Sequence, residues 1–185
     1  MAVTSKVQNR KFAYLFDIFD FNDDKVLNEK DFKSLFQSLE ADSQNPQAAY
    51  KASRRWWRVL SKFADKNADG KITATEWVLW SFAVVTEIRE TGVGSKSFQR
   101  LDNCLFESIE TSDEASNHAI SLAEYTKWMA AFQIKGDAAE IFAKLDTNGD
   151  GKILRSEFSE LFKDFFLAED ENAAGNYLWG NPFVK

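Results

Sequence analysis

Two stretches of the chain, "DKNADGKITATE" (65–76) and "DTNGDGKILRSE" (146–157), carry one pattern, D-x-N-x-D-G-x-I-x-x-x-E, and an aromatic residue follows each. A third stretch, "DFNDDKVLNEKD" (20–31), reads D-x-N-x-D-K-x-L-x-x-x-D and is followed by Phe32. A fourth, "DEASNHAISLAE" (113–124), keeps Ile120, Glu124 and the trailing Tyr125 but little else. Copies starting at 20, 65, 113 and 146 constrain the fold more than any other feature. A short repeated unit cannot bury its apolar face alone and must pack against its neighbours.

The flanks of each copy have helical periodicity. Phe12, Leu15, Phe16 and Phe19 recur at three- and four-residue spacing before the first loop, and Phe32, Leu35, Phe36 and Leu39 after it. Ile141, Phe142 and Leu145 lead into the last loop, and Phe158, Leu161, Phe162 and Phe165 lead out. Two Pro and eight Gly leave long helices uninterrupted. The expected fold is all-α: four helix–loop–helix units in two pairs, with short β-bridges between paired loops. Ile72, at the eighth place of its loop, is expected to pair with Leu27. Breaks fall at 41–46, 91–95 and 134–137. The middle break divides residues 1–90, carrying the first two units, from 91–185, carrying the other two and an aromatic tail.

The loops suit a hard cation, which needs many oxygen ligands converging from one short segment. In the second loop Asp65, Asn67 and Asp69 supply side-chain oxygens from positions 1, 3 and 5. Gly70 permits the sharp turn at position 6. Lys71 lends its backbone carbonyl at position 7, Thr73 acts through water at position 9, and Glu76 reaches back from position 12 with both oxygens. The last loop repeats this with Asp146, Asn148, Asp150, Lys152 and Glu157, but its position 9 is Leu154. Carboxylates crowded this closely repel one another unless a cation is present. A merely solvated acidic loop would not need every position filled.

The remaining loops depart from the pattern. In the first, Asp20, Asn22 and Asp24 fill positions 1, 3 and 5, Val26 lends a carbonyl, Asn28 stands at position 9 and Asp31 at position 12. Lys25 replaces the turn glycine and is expected to take a left-handed backbone. Asp31 is one methylene shorter than Glu, which makes two-oxygen coordination harder and favours magnesium relative to calcium. In the 113–124 loop, counting back from Ile120 and Glu124 puts position 1 at Asp113. The phase of Phe106 and Ile109 puts it at Glu110 instead. A three-residue insertion explains the difference and is expected to silence this loop. About three ions are expected, calcium with magnesium competing, especially in loop 20–31.

Other features bound the function. The net charge of −6 argues against nucleic acid as a general partner. Cys104 is the only cysteine, and the N-terminal stretch has no apolar signal-like region. No apolar run approaches membrane-spanning length. A cytoplasmic monomer is the expectation. Helix 50–63 carries Lys51, Arg54, Arg55, Arg58 and Lys62 with no acid, read as a solvated basic face with a protein or lipid partner as the competing reading. One His and one Cys assemble no catalytic constellation, so no enzyme activity is expected. Only two Met residues, Met1 and Met129, argue against a flexible Met-rich sensor groove.

These motifs together resemble the invertebrate sarcoplasmic calcium-binding proteins and the related calexcitins, both with four EF-hands. The resemblance covers essentially the whole chain. It is carried by Asp31 at the end of the first loop, by Trp56 and Trp57, and by the tail residues Gly175, Tyr177, Leu178, Trp179 and Gly180. It implies a silent loop, two halves packed into one globule and a tail folded back on the core. It also implies a calcium and magnesium buffer, or a calexcitin-like signalling role. Luciferin-binding relatives with aromatic-lined cavities form a third class, which the lone His118 disfavours in its photoprotein form.

Overall fold

The computed structural model describes residues 4–40, 46–110 and 118–183. Helix α1 (Lys6–Phe19) starts from a capping box, in which the Ser5 hydroxyl accepts from the Gln8 N–H and the Gln8 side chain accepts from the Ser5 N–H. It runs into the first loop, strand β1 (Val26–Leu27) and α2 (Glu29–Glu40). Helix α3 (Pro46–Ala64), β2 (Ile72–Thr73) and α4 (Ala74–Thr91) form the second unit. The third comprises α5 (Lys96–Glu110), β3 (Ala119–Ser121) and α6 (Leu122–Ala131), and the fourth α7 (Ala138–Leu145), β4 (Lys152–Leu154) and α8 (Arg155–Leu167). A 3-10 turn at Ala174–Tyr177 opens the tail. The fold is all-α, with its strands confined to loop contacts.

Those contacts join the loops in antiparallel pairs. Val26 faces Thr73 and Leu27 faces Ile72 in the first pair. Ala119, Ile120 and Ser121 face Leu154, Ile153 and Lys152 in the second. Leu27, Ile72, Ile120 and Ile153 are all fully or almost fully buried. Each pair therefore clamps two loops through one apolar contact at position 8, as the sequence leads one to expect for Leu27 and Ile72.

The aromatic residues build the core rather than the surface. The Phe19 ring lies 5.2–5.9 Å from Phe32, Trp56, Trp77 and Trp179. Trp179 continues the cluster to Trp128 at 5.0 Å. Phe98 stacks on Phe162 at 4.8 Å. The tail is fastened by hydrogen bonds from distant helices. Tyr14 Oη donates to the Trp179 carbonyl at 2.9 Å, and Tyr125 Oη to the Tyr177 and Leu178 carbonyls at 3.1 and 3.2 Å. Gly175 lies so close to α8 that an added Cβ would sit 2.5 Å from the Leu161 carbonyl oxygen.

Lys11 is the least expected core residue, with 0% of its surface exposed. Its ammonium donates to the Ala168 carbonyl at 2.9 Å and to Asn176 Oδ1 at 2.7 Å, so a charge on α1 pins the start of the tail. Burial lowers its pKa to about 8, against the opposing pull of Asp164 and Glu169. A lysine in an unfolded chain titrates near ~10.4. Between these values the unfolded chain binds more protons, so stability rises with pH through the window and the gain is complete above it. Urea unfolding from pH 7 to pH 10 should show this rise, up to roughly 3 kcal/mol. Lys11→Met should lose that part of the slope.

Candidate metal centres

Ordinary helix capping sets the ends of each loop. Position 1 follows the last helical residue: the N–H groups of Asp20, Asp65 and Asp146 still donate to the carbonyls of Phe16, Ser61 and Phe142. Position 12 is the third residue of the outgoing helix. Thr73 and Ser121 act as N-caps of α4 and α6, with Glu76 and Glu124 completing capping boxes. The residue before position 1 is buried in all three loops (Phe19, Ala64, Leu145), as is the aromatic after position 12 (Phe32, Trp77, Phe158). The loops are thus stretched between two fixed points in the core.

Inside the loops, one hydrogen-bond pattern occurs three times. The position 1 carboxylate accepts from the N–H groups of positions 5 and 6, position 3 accepts from position 5, and position 5 accepts from position 7. All these bonds measure 2.8–3.2 Å in loops 20–31, 65–76 and 146–157. The backbone turns inward to make them. Position 4 is left-handed in each loop (Asp23 φ 58°, Ala68 57°, Gly149 73°), and position 6 likewise (Lys25 65°, Gly70 78°, Gly151 82°). Lys25 makes the glycine turn at a strain of about 1–2 kcal/mol. Its ammonium pairs with Asp23 and, at 3.7 Å, with Asp17. Lys71 and Lys152 keep their side chains exposed, away from the loop interior.

The position 12 residues differ. Glu76 accepts from the Thr73 N–H and hydroxyl at 2.9 and 2.8 Å on one oxygen and from the Lys66 N–H at 3.1 Å on the other. The Thr73 hydrogen bonds hold its carboxyl below the usual carboxylate range. Asp31 is 1% exposed, and burial pushes its carboxyl above that range. Its Oδ2 accepts from the Asn28 N–H at 2.9 Å, while its Oδ1 is buried with no partner. Glu157 Oε1 accepts from Thr147, and its Oε2 is likewise buried with no partner. A buried carboxylate oxygen without a donor fits a cation, which supplies the missing positive partner. Among the described residues no three acidic, His or Cys side chains are gathered into a ready-made cage. The inner carboxylates are turned onto backbone donors, and the proposed sets include Asn and backbone carbonyls.

Comparison with known proteins agrees with this geometry. The EF hand family model matches residues 62–79 and 138–163. Calerythrin of Saccharopolyspora erythraea is 25% identical over 171 residues, covering 88% of this chain and 94% of the relative. A calcium-binding protein of Streptomyces coelicolor, solved in the context of calcium-mediated regulation, is 25% identical at a TM-score of 0.67, covering 86% and 97%. An amphioxus sarcoplasmic calcium-binding protein has a TM-score of 0.71 at 18% identity, covering 96% and 98%. The two matched segments contain loops 65–76 and 146–157, so the chain carries EF-hand segments at those two loops. The chain is similar in sequence to calerythrin and shares its fold with the amphioxus protein.

The described ends of the loop after α5 are held differently. Residues 113–117 lie outside the described residues, with the Ala115 position. Glu110, the last residue of α5, accepts the His118 N–H at 2.6 Å. His118 is left-handed at φ 59°, as position 6 is in the other loops. Glu110 thus stands in the role of position 1 toward a position 6 that is eight residues away, where the other loops span five. Glu124 accepts from the Ser121 N–H and hydroxyl at 2.7 Å each. Asp113, position 1 of the other register read from the sequence, lies outside the described residues.

The other candidates take structural places. Arg54 and Arg55 on α3 pair with Glu29 of α2 and Glu107 of α5, which occupies part of the basic face. Trp56, on the opposite side, is buried and donates to the Cys104 carbonyl at 3.2 Å. Burial pushes the Cys104 thiol up, away from the reactive thiolate. His118 has an exposed side chain. Two groups escape a reading of the sequence. Thr147 lies between ligand positions and carries no ligand label, yet it grips Glu157. Asp102 forms a two-pronged pair with Arg155, at 3.2 and 2.7 Å, that ties α5 to α8. Glu110→Ala should lower stability by about 1–2 kcal/mol through the orphaned His118 N–H. It should leave the calcium stoichiometry unchanged, as unfolding and calorimetric titration would check.

Proposed function

We propose that the protein is a reversible buffer of calcium, with magnesium competing, in the manner of the sarcoplasmic calcium-binding proteins. The carrying observation is the shared inner hydrogen-bond pattern of loops 20–31, 65–76 and 146–157. It is joined by the donorless buried oxygens Asp31 Oδ1 and Glu157 Oε2. Three ions bind. Asp20, Asn22, Asp24, Val26 and Asp31 hold the first, and Asp65, Asn67, Asp69, Lys71 and Glu76 the second. Asp146, Asn148, Asp150, Lys152 and Glu157 hold the third, with Val26, Lys71 and Lys152 acting through their carbonyls. A bound cation cancels the mutual repulsion of each carboxylate set, and its binding energy becomes folding stability. Loop 113–124 binds no ion and serves as the pairing partner of loop 146–157. Residues 1–90 and 91–185 act as the two paired units, and the protein works as a cytoplasmic monomer. Among the described residues no helix is long and apolar enough to cross a membrane.

Loop 20–31 carries the mixed calcium and magnesium site. Asp31 is fixed by burial and by the Asn28 N–H, and its short side chain favours fewer oxygens around the ion. Calorimetric titration with calcium, with and without magnesium, tests the whole reading. A stoichiometry of three is expected, and Asp31→Glu should raise the calcium preference of one site only. Two ions would remove loop 20–31 from the set, and four would restore loop 113–124.

A calcium-regulated signalling role is the second reading, favoured by the outer face of α4. Val78 and Leu79 are 57% and 55% exposed, and Phe82 and Ala83 continue this uncharged stripe. Beside it a groove of about 540 Å³ runs between α1 and α4, lined by Phe12, Phe16, Trp77 and Val78. Binding of a hydrophobic dye during calcium titration in excess magnesium separates the two roles. A buffer changes little, whereas a sensor exposes more apolar surface when calcium binds.

A further inference from the structure

The loops hold their position 12 carboxylates from opposite ends. In loop 65–76 the helper hydroxyl belongs to Thr73, the N-cap of the outgoing helix, which donates to Glu76 at 2.8 Å. Ser121 does the same for Glu124 at 2.7 Å. In loop 146–157 the N-cap of α8 is Leu154, which has no side-chain cap bond. The hydroxyl comes instead from Thr147 at position 2, the loop's entry. Thr147 donates to Glu157 Oε1 through its N–H at 2.9 Å and through Oγ1 at 2.6 Å. Both donors grip one oxygen and leave Oε2 buried with no partner. In loop 65–76 the position 2 residue is Lys66, which reaches Glu76 only through its backbone.

We infer that Thr147 is the positioning residue of the fourth loop: its hydroxyl replaces the missing N-cap hydroxyl and presents Glu157 Oε2 to the cation. This rests on the reading of loop 146–157 as a cation site. A carboxylate held by one oxygen keeps the second free for the ion, and fixing its rotamer beforehand removes an ordering penalty from binding. The grip also joins the first turn of α8 to the end of α7 across the loop.

Calorimetric titration of the full chain with calcium and with magnesium tests the inference. Glu157→Gln should abolish one calcium site. Thr147→Val should keep the stoichiometry but weaken calcium at that same site by about threefold to tenfold. Thr147→Ser should match the parent protein. Leu154→Thr, placed on the Thr147→Val background, should recover the lost affinity by supplying a hydroxyl from the N-cap. Leu154 is 38% exposed, so the exchange disturbs little packing. If Glu157→Gln removes one ion while Thr147→Val titrates as the parent does, the positioning role is wrong and the loop 146–157 site stands. If Glu157→Gln leaves calcium binding unchanged, the site itself is wrong and the role falls with it.

Discussion

Carboxylates drawn toward one point repel each other, and the rest of the molecule is arranged around that repulsion. Each first-position Asp spreads its two oxygens over the N–H groups of positions 5 and 6. Backbone donors at that place require a chain that doubles back, hence the left-handed residues at positions 4 and 6. The doubled-back chain brings its ends together, which fixes the distance between incoming and outgoing helices. Buried residues on either side of each loop then transmit that distance to the core. Local electrostatics and global packing meet at Phe19, which precedes Asp20 in sequence and touches four aromatic rings from α2, α3, α4 and the tail.

The Phe19 cluster also shows why so many aromatic residues are needed. The eight helices among the described residues offer narrow apolar stripes, and large flat side chains fill the gaps where several stripes meet. Trp179 reaches Phe19 and Trp56 on one side and Trp128 and Phe132 on the other. A tail residue thus sits among side chains from all along the chain. The bidentate Asp102–Arg155 pair adds a polar tie between α5 and α8, with the Arg155 guanidinium over the Phe106 ring at 5.1 Å.

Much of this architecture was legible because it rests on local rules. Helical spacing of Phe12, Leu15, Phe16 and Phe19 marks α1, and the position 8 residues mark the strand contacts. The left-handed turn of Lys25 follows from the loop pattern alone. Features that depend on partners distant in sequence were not legible. Lys11 reads as one more surface cation until α8 and the tail are seen to enclose it. Thr147 carries no ligand label, and only the absent hydroxyl at Leu154 hints that another residue must serve Glu157. The basic face of α3 reads as solvated, and its pairing of Arg55 is not legible because Glu107 belongs to a different unit.

The attachment of α1 to the far end of the chain bears on how the protein folds. Gln8 donates to the Phe166 carbonyl, Lys11 to Ala168 and Asn176, and Tyr14 to Trp179, partners more than 150 positions away. Contacts of such sequence separation close late, because the chain must surrender loop entropy before they form. On a ribosome α1 is made well before the tail that covers its buried face. The first loop, strung from that helix at Asp20, therefore reaches its final geometry only once the tail has docked.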